Sequence, residues 1–327
     1  MLVADIGGTK SIFAVVRDGE KNVVEGIQSF SSRDSSDFES LLGSYLAAHA
    51  IKDQSDLVIG VAGPVFDNSC TATNLPWKLI GRQISERFGL RNVGMINDLA
   101  AHAYGISLCR PQHLVTLNVG KSIKGQAALI AAGTGLGEAI ICNFPSDHPT
   151  VISTEGGHCD FAPTNDVEIE LLRFLLQQHK RVSWERVVSG SMGFANIYRF
   201  FAQREPANIA VPCSDSMLPH DFGPFVTSAA NQGCPVALKT MELFVRLYGA
   251  EAGNLALKCL ATAGIYIAGG VGPKILKWIK DYPWFLEGLT NKGRFSELVR
   301  QMPVTLITDP DLALLGAYRY GKLNRMN

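Results

Sequence analysis

Short apolar runs bounded by glycine, proline and small polar residues recur along the chain. Between them lie stretches whose apolar positions fall at helical spacing. Residues 2–6 read as a buried strand and 11–16 as a second, joined through Gly7-Gly8-Thr9, which predicts a hairpin. Residues 21–30 supply a third strand, and Phe38, Leu41, Leu42, Tyr45 and Leu46 repeat at helical spacing. A buried strand over 57–61 is broken at Gly63-Pro64. Ile84 and Phe88 suit a short helix, 92–96 is the next strand, and a helix opens after Asn97-Asp98. The pattern then restarts: a strand over 127–132, a turn over 133–137, and a returning strand over 138–142. Helices are predicted over 167–179, near Trp184 and over 192–202, whereas the proline-bearing stretch 203–224 reads as a surface excursion. Residues 235–260 form a long helix with Pro235 in its first turn, and a strand over 264–268 ends in Gly269-Gly270. A strand over 304–307 and a helix over 311–320 close the pattern. Strands alternating with helices predict the α/β class with largely parallel sheets.

Length and charge narrow the picture. A chain of 327 residues exceeds one small core, so two domains are expected. With 30 basic and 30 acidic residues, formal net charge is zero and no long run of either sign occurs, which argues against a nucleic-acid partner. No apolar run reaches the ~20 residues that span a bilayer, and no signal segment precedes the first strand. The expectation is a cytoplasmic protein with no membrane partner. The 7 cysteines are scattered with no C-x-x-C pair, which fits reduced thiols rather than disulfides or zinc. Gly120-Lys121-Ser122 lacks the first glycine of a P-loop and precedes a strand rather than a helix.

The two Gly-Thr turns carry the chemistry. Gly has no Cβ, so a tip of backbone N–H groups can approach a phosphate closely. Two strand–turn–strand units suggest two similar α/β lobes facing one another across a cleft that would take a polyphosphate. Ala268-Gly269-Gly270-Val271, at the carboxyl end of a strand, would let a purine and ribose lie against the backbone.

These segments resemble a known family. Asp5-Ile6-Gly7-Gly8-Thr9-Lys10, Gly133-Thr134-Gly135-Leu136-Gly137 and Gly269-Gly270 are similar to the phosphate 1, phosphate 2 and adenosine segments of the hexokinase–actin superfamily. Ile96-Asn97-Asp98, Glu155-Gly156-Gly157-His158, Trp184 to Gly190 and Leu315-Gly316-Ala317 extend the match to bacterial glucokinases of the type without structural zinc. Lys10 is the form common in the related ROK sugar kinases, but their His- and Cys-rich zinc motif is missing after Glu155-Gly156-Gly157-His158.

The resemblance implies two actin-like (ribonuclease H-like) lobes with mixed, largely parallel sheets flanked by helices, the small one over 1–109 plus 308–327 and the large one over 110–307. It implies ATP-dependent phosphorylation of glucose at its 6-hydroxyl, with ATP and magnesium, no zinc, and a homodimer. ATP would contact Asp5, Ile6, Gly7, Gly8, Thr9, Lys10, Gly133, Thr134, Gly135, Gly137, Gly269 and Gly270, and Asp5 would hold magnesium through water. A kinase for mannose or an N-acetylhexosamine, or a sugar-binding regulator without turnover, stays open as an alternative.

Asp98 is the expected base. It also stands where a helix begins, a place Asp often fills as N-cap. A carboxylate near a helix N-terminus stays ionised, which suits a base accepting a hydroxyl proton. Asn97 offers both donor and acceptor to a sugar hydroxyl. Glu155, His158 and Glu185 complete the expected sugar set, with Asn74 as a further contact and Trp77 read as packing.

Overall fold

The computed structural model describes every residue except 18, 20, 21, 52–54, 74, 206–216 and 325–327. The chain divides into two compact units: residues 1–113, 146–153 and 309–327 form the first, and 114–145 with 154–308 the second.

The first unit is built on β1 (Leu2–Ile6), β2 (Lys10–Arg17), β3 (Val23–Ser31), α1 (Phe38–His49) and β4 (Asp56–Val61). A small sheet of β5 (Val65–Phe66), β6 (Ser69–Thr71) and β7 (Lys78–Ile80) leads into α2 (Gly81–Phe88), β8 (Asn92–Asn97) and α3 (Asp98–Gly105). The main sheet has the order β3-β2-β1-β4-β8, with β1 and β2 antiparallel and β1, β4 and β8 parallel. Alternation along β1 divides the two faces. Leu2, Ala4 and Ile6 pack with Phe13, Phe38 and Tyr45, whereas Val3 joins Ala14, Val16 and Val58 against the C-terminal helix through Leu314, Ala317 and Tyr318. Asp5 stands at the carboxyl end of β1, opposite Gly60 of β4.

The second unit comprises β9 (Leu114–Asn118), β10 (Gly125–Ala132), β11 (Leu136–Phe144) and, past residues 146–153, α4 (Asp166–Leu176), α5 (Gly193–Ala202), α6 (Phe222–Asn231) and α7 (Pro235–Cys259). It continues with β13 (Gly264–Ala268), α8 (Val271–Lys274), α9 (Leu276–Lys280), α10 (Trp284–Thr290), α11 (Ser296–Arg300) and β14 (Val304–Ile307), while β12 (Thr150–Thr154) spans the junction of the two units and α12 (Leu312–Leu323) returns to the first. The sheet order is β12-β11-β10-β13-β14-β9, with β10, β13 and β14 parallel. The helix α7 is apolar on most of its circumference and buried along most of its length, as a helix enclosed on all sides must be. From it the buried Tyr248 hydroxyl accepts from Ala132 N at 3.2 Å and donates to Ala268 O at 3.3 Å. One side chain thereby ties the ends of β10 and β13, the strands that lead into the turns at Gly133 and Gly269.

The mixed α/β class and the largely parallel sheet centres are as the sequence predicts. Several elements depart from the pattern. The stretch expected as a surface excursion contains the start of α6, with Pro224 in the first turn, where its missing N–H costs no helical bond. Residues 271–300 hold four short helices that the hydrophobic pattern does not mark, because each is shorter than two full turns of repeat. Residues 146–153 group with the first unit rather than with 110–307, since Arg319 of α12 donates to Ser146 O and Asp147 O at 3.1 Å. Among the described residues no helix is long and apolar enough to cross a membrane.

Candidate active site

In the first unit the carboxyl ends of β1 and β8 meet the start of α3. Gly7 N donates to Lys10 O at 3.0 Å and closes the turn between β1 and β2. The turn is braced from a place that sequence spacing does not reveal: the buried Ser32 hydroxyl donates to Gly7 O at 2.8 Å, and Ser32 N donates to Thr9 O at 3.0 Å. Thr9 and Lys10 are exposed and Gly7 and Gly8 half-buried, while the Ile6 side chain is in the core, leaving only its backbone for a ligand.

Burial pushes the Asp5 carboxyl above the usual carboxylate range, and His102 and Lys10 act in the opposite direction. His102 is held by its Nδ1, 2.8 Å from Asp98 O. It lies one helical turn past Asp98, a spacing that would have marked it from sequence. A desolvated carboxylate with no hydrogen-bonded donor among the described residues is suited to a hydrated cation, so Asp5 fits magnesium.

Asn97, not Asp98, is the N-cap of α3. Its Oδ1 accepts from Leu99 N at 3.0 Å and Ala100 N at 3.2 Å. Its Nδ2 donates to Asp98 Oδ1 at 2.9 Å and to Gly63 O at 3.3 Å. Asp98 is therefore the first residue of the helix, with Oδ1 accepting also from Leu99 N at 2.9 Å. The capping role expected of Asp98 passes to its neighbour, and the Asn97 amide orients the Asp98 carboxylate. Asn74 lies outside the described residues, and Trp77 is buried in the first unit's core, as a packing residue should be.

The second unit carries the other candidate residues. Gly133 N donates to Gly135 O at 2.9 Å within the turn, and Gly190 N donates to Gly133 O at 2.8 Å. The Ser191 hydroxyl donates to Thr134 O, so the Gly190-Ser191 pair docks the turn. Ser191 follows the segment quoted above and carries no signal of its own in the sequence. Gly137 pairs with Ala131 at the start of β11. A Cβ on Gly133 or Gly270 would meet nothing within 4 Å, which leaves both sides open to a ligand. Gly269 is different: at φ +82°, with Ala132 O only 2.5 Å from where a Cβ would stand, the position admits glycine alone.

Glu155, His158 and Glu185 come together beside this turn. His158 Nδ1 lies 3.3 Å from Glu185 Oε2, and His158 Nε2 lies 3.9 Å from Glu155 Oε2. A Cβ on Gly135 would lie 2.8 Å from Glu185 Oε1, so the carboxylate packs on the phosphate-type turn itself. Glu155 is 70% exposed and Glu185 only 20%, giving one open and one largely covered carboxylate. Two carboxylates and an imidazole match a ring of hydroxyls, each of which both donates and accepts.

Known proteins share this arrangement of sequence. The family model Glucokinase matches residues 2–323. A glucokinase of Nostoc punctiforme is 37% identical over 334 residues, covering 97% of each chain, and one of Photorhabdus laumondii is 33% identical over 326 residues, covering 98% of this chain and 96% of that one. The crystal structure of a glucokinase from an Antarctic psychrotroph superposes with a TM-score of 0.82 at 30% identity, over 98% of this chain and 97% of that one. A ROK family glucokinase from Streptomyces griseus, solved with glucose and AMPPNP, shares the fold at TM-score 0.66 and 22% identity over 100% and 99% of the chains. Matched along nearly its whole length by the family model and by these relatives, the chain belongs to the glucokinase family.

Proposed function

We propose that this chain phosphorylates glucose with ATP, that Asp98 accepts the proton of the glucose 6-hydroxyl, and that Glu155, His158 and Glu185 hold the sugar. Phosphoryl transfer requires positioning and charge stabilisation rather than covalent chemistry. Asp98 Oδ1 accepts from Leu99 N and Asn97 Nδ2, so its carboxylate has a fixed direction. As the sugar oxygen forms its bond to the γ-phosphorus, its proton passes to Asp98, and the bond to the ADP oxygen breaks. Asn97 orients the base; a sugar hydroxyl would displace the longer of its two donated bonds, the one to Gly63 O at 3.3 Å.

Each unit by itself offers backbone N–H groups suited to phosphate, 7–9 in the first and 133–137 in the second, and Gly269 and Gly270 leave space for purine and ribose. Asp5 would hold magnesium through water, and the bound ion neutralises phosphate charge. The same reading makes the protein a cytoplasmic homodimer without a nucleic-acid partner, and sedimentation measures the dimer.

The observation that carries this reading is the cluster of His158 and Glu185 against Gly135, which puts hydroxyl-binding groups on the flank of a phosphate-type turn. A coupled assay of ADP release over glucose, mannose and N-acetylglucosamine tests it. Glucose-stimulated release is expected. Release stimulated by another hexose instead would move the substrate, and no stimulation by any sugar would favour a binding regulator.

A further inference from the structure

Two buried carboxyls outside this chemistry lie beneath the turn that carries Glu155 and His158. Glu138 of β11 is 1% exposed and Glu251 of α7 is fully buried. Glu138 Oε1 has no hydrogen-bond donor among the described residues, and its carboxyl faces that of Glu251. Two ionised carboxylates in such a place would repel each other with nothing to satisfy that oxygen. A proton shared between them turns two acceptors into a donor and an acceptor.

Glu251 is the member with charged and hydrogen-bonded partners of its own. Asn254 Nδ2 donates to its Oε2 at 2.8 Å, and Lys258 Nζ lies 3.3 Å from its Oε1. Lys292 closes the other side by donating to Ala250 O and Asn254 Oδ1, both at 2.8 Å, with Glu168 of α4 beyond it. Cys259, whose thiol burial pushes up to about 11, is the remaining titratable neighbour of Glu138, with Cys142 beside it. Cys159 faces Lys258.

The connection to the site is direct. A Cβ on Gly156 would fall on the Glu138 carboxyl, so the turn's backbone rests on it. A second tether runs through Thr154, whose hydroxyl donates to Glu138 O at 3.1 Å and accepts from Gly156 N at 3.2 Å.

We propose that Glu138, wedged between Gly156 and Glu251 as one half of a carboxyl–carboxylate pair, is a positioning residue for the turn that presents Glu155 and His158. The proposal rests on the reading of those two residues as sugar-holding groups. Burial and the neighbouring Glu251 push the Glu138 carboxyl up to about 8. Near neutral pH the pair therefore holds one proton. Mild alkali removes it, the carboxylates separate, and Glu138 presses into the Gly156 backbone. Sugar binding weakens while the groups around Asp98 are unchanged.

The test is the glucose KM and kcat of the full-length enzyme from about pH 6.5 to about pH 9.5. In the wild type we expect KM to rise about fivefold or more across this range, with kcat changing much less. Glu138→Gln, whose amide donates to Glu251 at every pH, should flatten that rise, and Glu138→Ala should raise KM throughout. A pH-independent wild-type KM would overturn the proposal, as would a Glu138→Gln rise equal to that of the wild type. If Glu138→Ala does not fold, the Glu138→Gln profile decides alone. Glu155→Gln in the same assay separates the two readings. An unmoved KM there counts against the sugar assignment, whereas a raised KM together with an unaltered Glu138→Gln profile counts against Glu138 only.

Discussion

His158 Nδ1 and Glu185 Oε2 lie 3.3 Å apart, and the same Glu185 carboxylate packs against Gly135 of the phosphate-type turn. A histidine in the loop after β12 and a glutamate in the short helix near Trp184 are thus joined to the β10–β11 turn through one carboxylate. Displacing Glu185 would disturb both His158 and the Gly135 turn at once.

Gly135→Ala and Gly269→Ala separate function from folding. At Gly135 the added Cβ would meet Glu185 Oε1 at 2.8 Å, the far end of a flexible side chain that can move aside. The expected result is a higher glucose KM, by roughly tenfold, with an unchanged melting temperature. At Gly269 the Cβ would meet Ala132 O at 2.5 Å with φ at +82°, where nothing flexible can yield. That variant should lose at least about 1–3 kcal/mol of stability, read from denaturant midpoints.

Two substitutions at Asn97 divide its roles. Asn97→Asp keeps an oxygen for Leu99 N and Ala100 N but removes the donor to Asp98 and adds a second negative charge beside it. Stability should stay within about 0.5 kcal/mol while kcat falls by about tenfold or more. Asn97→Ala loses the cap as well, and should cost a further ~1 kcal/mol in a denaturant titration.

Glu138 also gives stability a pH dependence of known sign. Its folded carboxyl is raised from the ordinary 4.5 to about 8. Between those values the folded chain binds more protons than the unfolded one, so this contribution is fully present below pH 4.5 and is lost as pH rises through about 8. Denaturant midpoints at several pH values should show the slope in the wild type and a smaller one in Glu138→Gln. Equal slopes would contradict the assignment.

Much of this was legible in the sequence, for physical reasons that differ by residue. Strands such as 57–61 and 127–132 show themselves because burial on both faces demands unbroken apolar runs. The glycine turns show themselves because only glycine lets backbone approach a ligand or a neighbouring carbonyl, as Gly269 does with Ala132 O. The share between Asn97 and Asp98 was not legible: both are good caps, and only the observed helix start decides which oxygen meets Leu99 N. Ser32 and Ser191 were silent because each braces a turn by hydrogen bonds to its backbone carbonyls from a remote part of the chain. Glu138 reads as an ordinary strand residue until the fold sets Glu251 opposite it.

The central claim is that Asp98 takes the proton from the sugar. It is tested most directly by the kcat of Asp98→Asn, which keeps an oxygen to accept from Leu99 N and Asn97 Nδ2 while removing the basic carboxylate. The account predicts a fall in kcat of about 10²–10⁴-fold with glucose binding largely retained. Turnover near that of the wild type would contradict it.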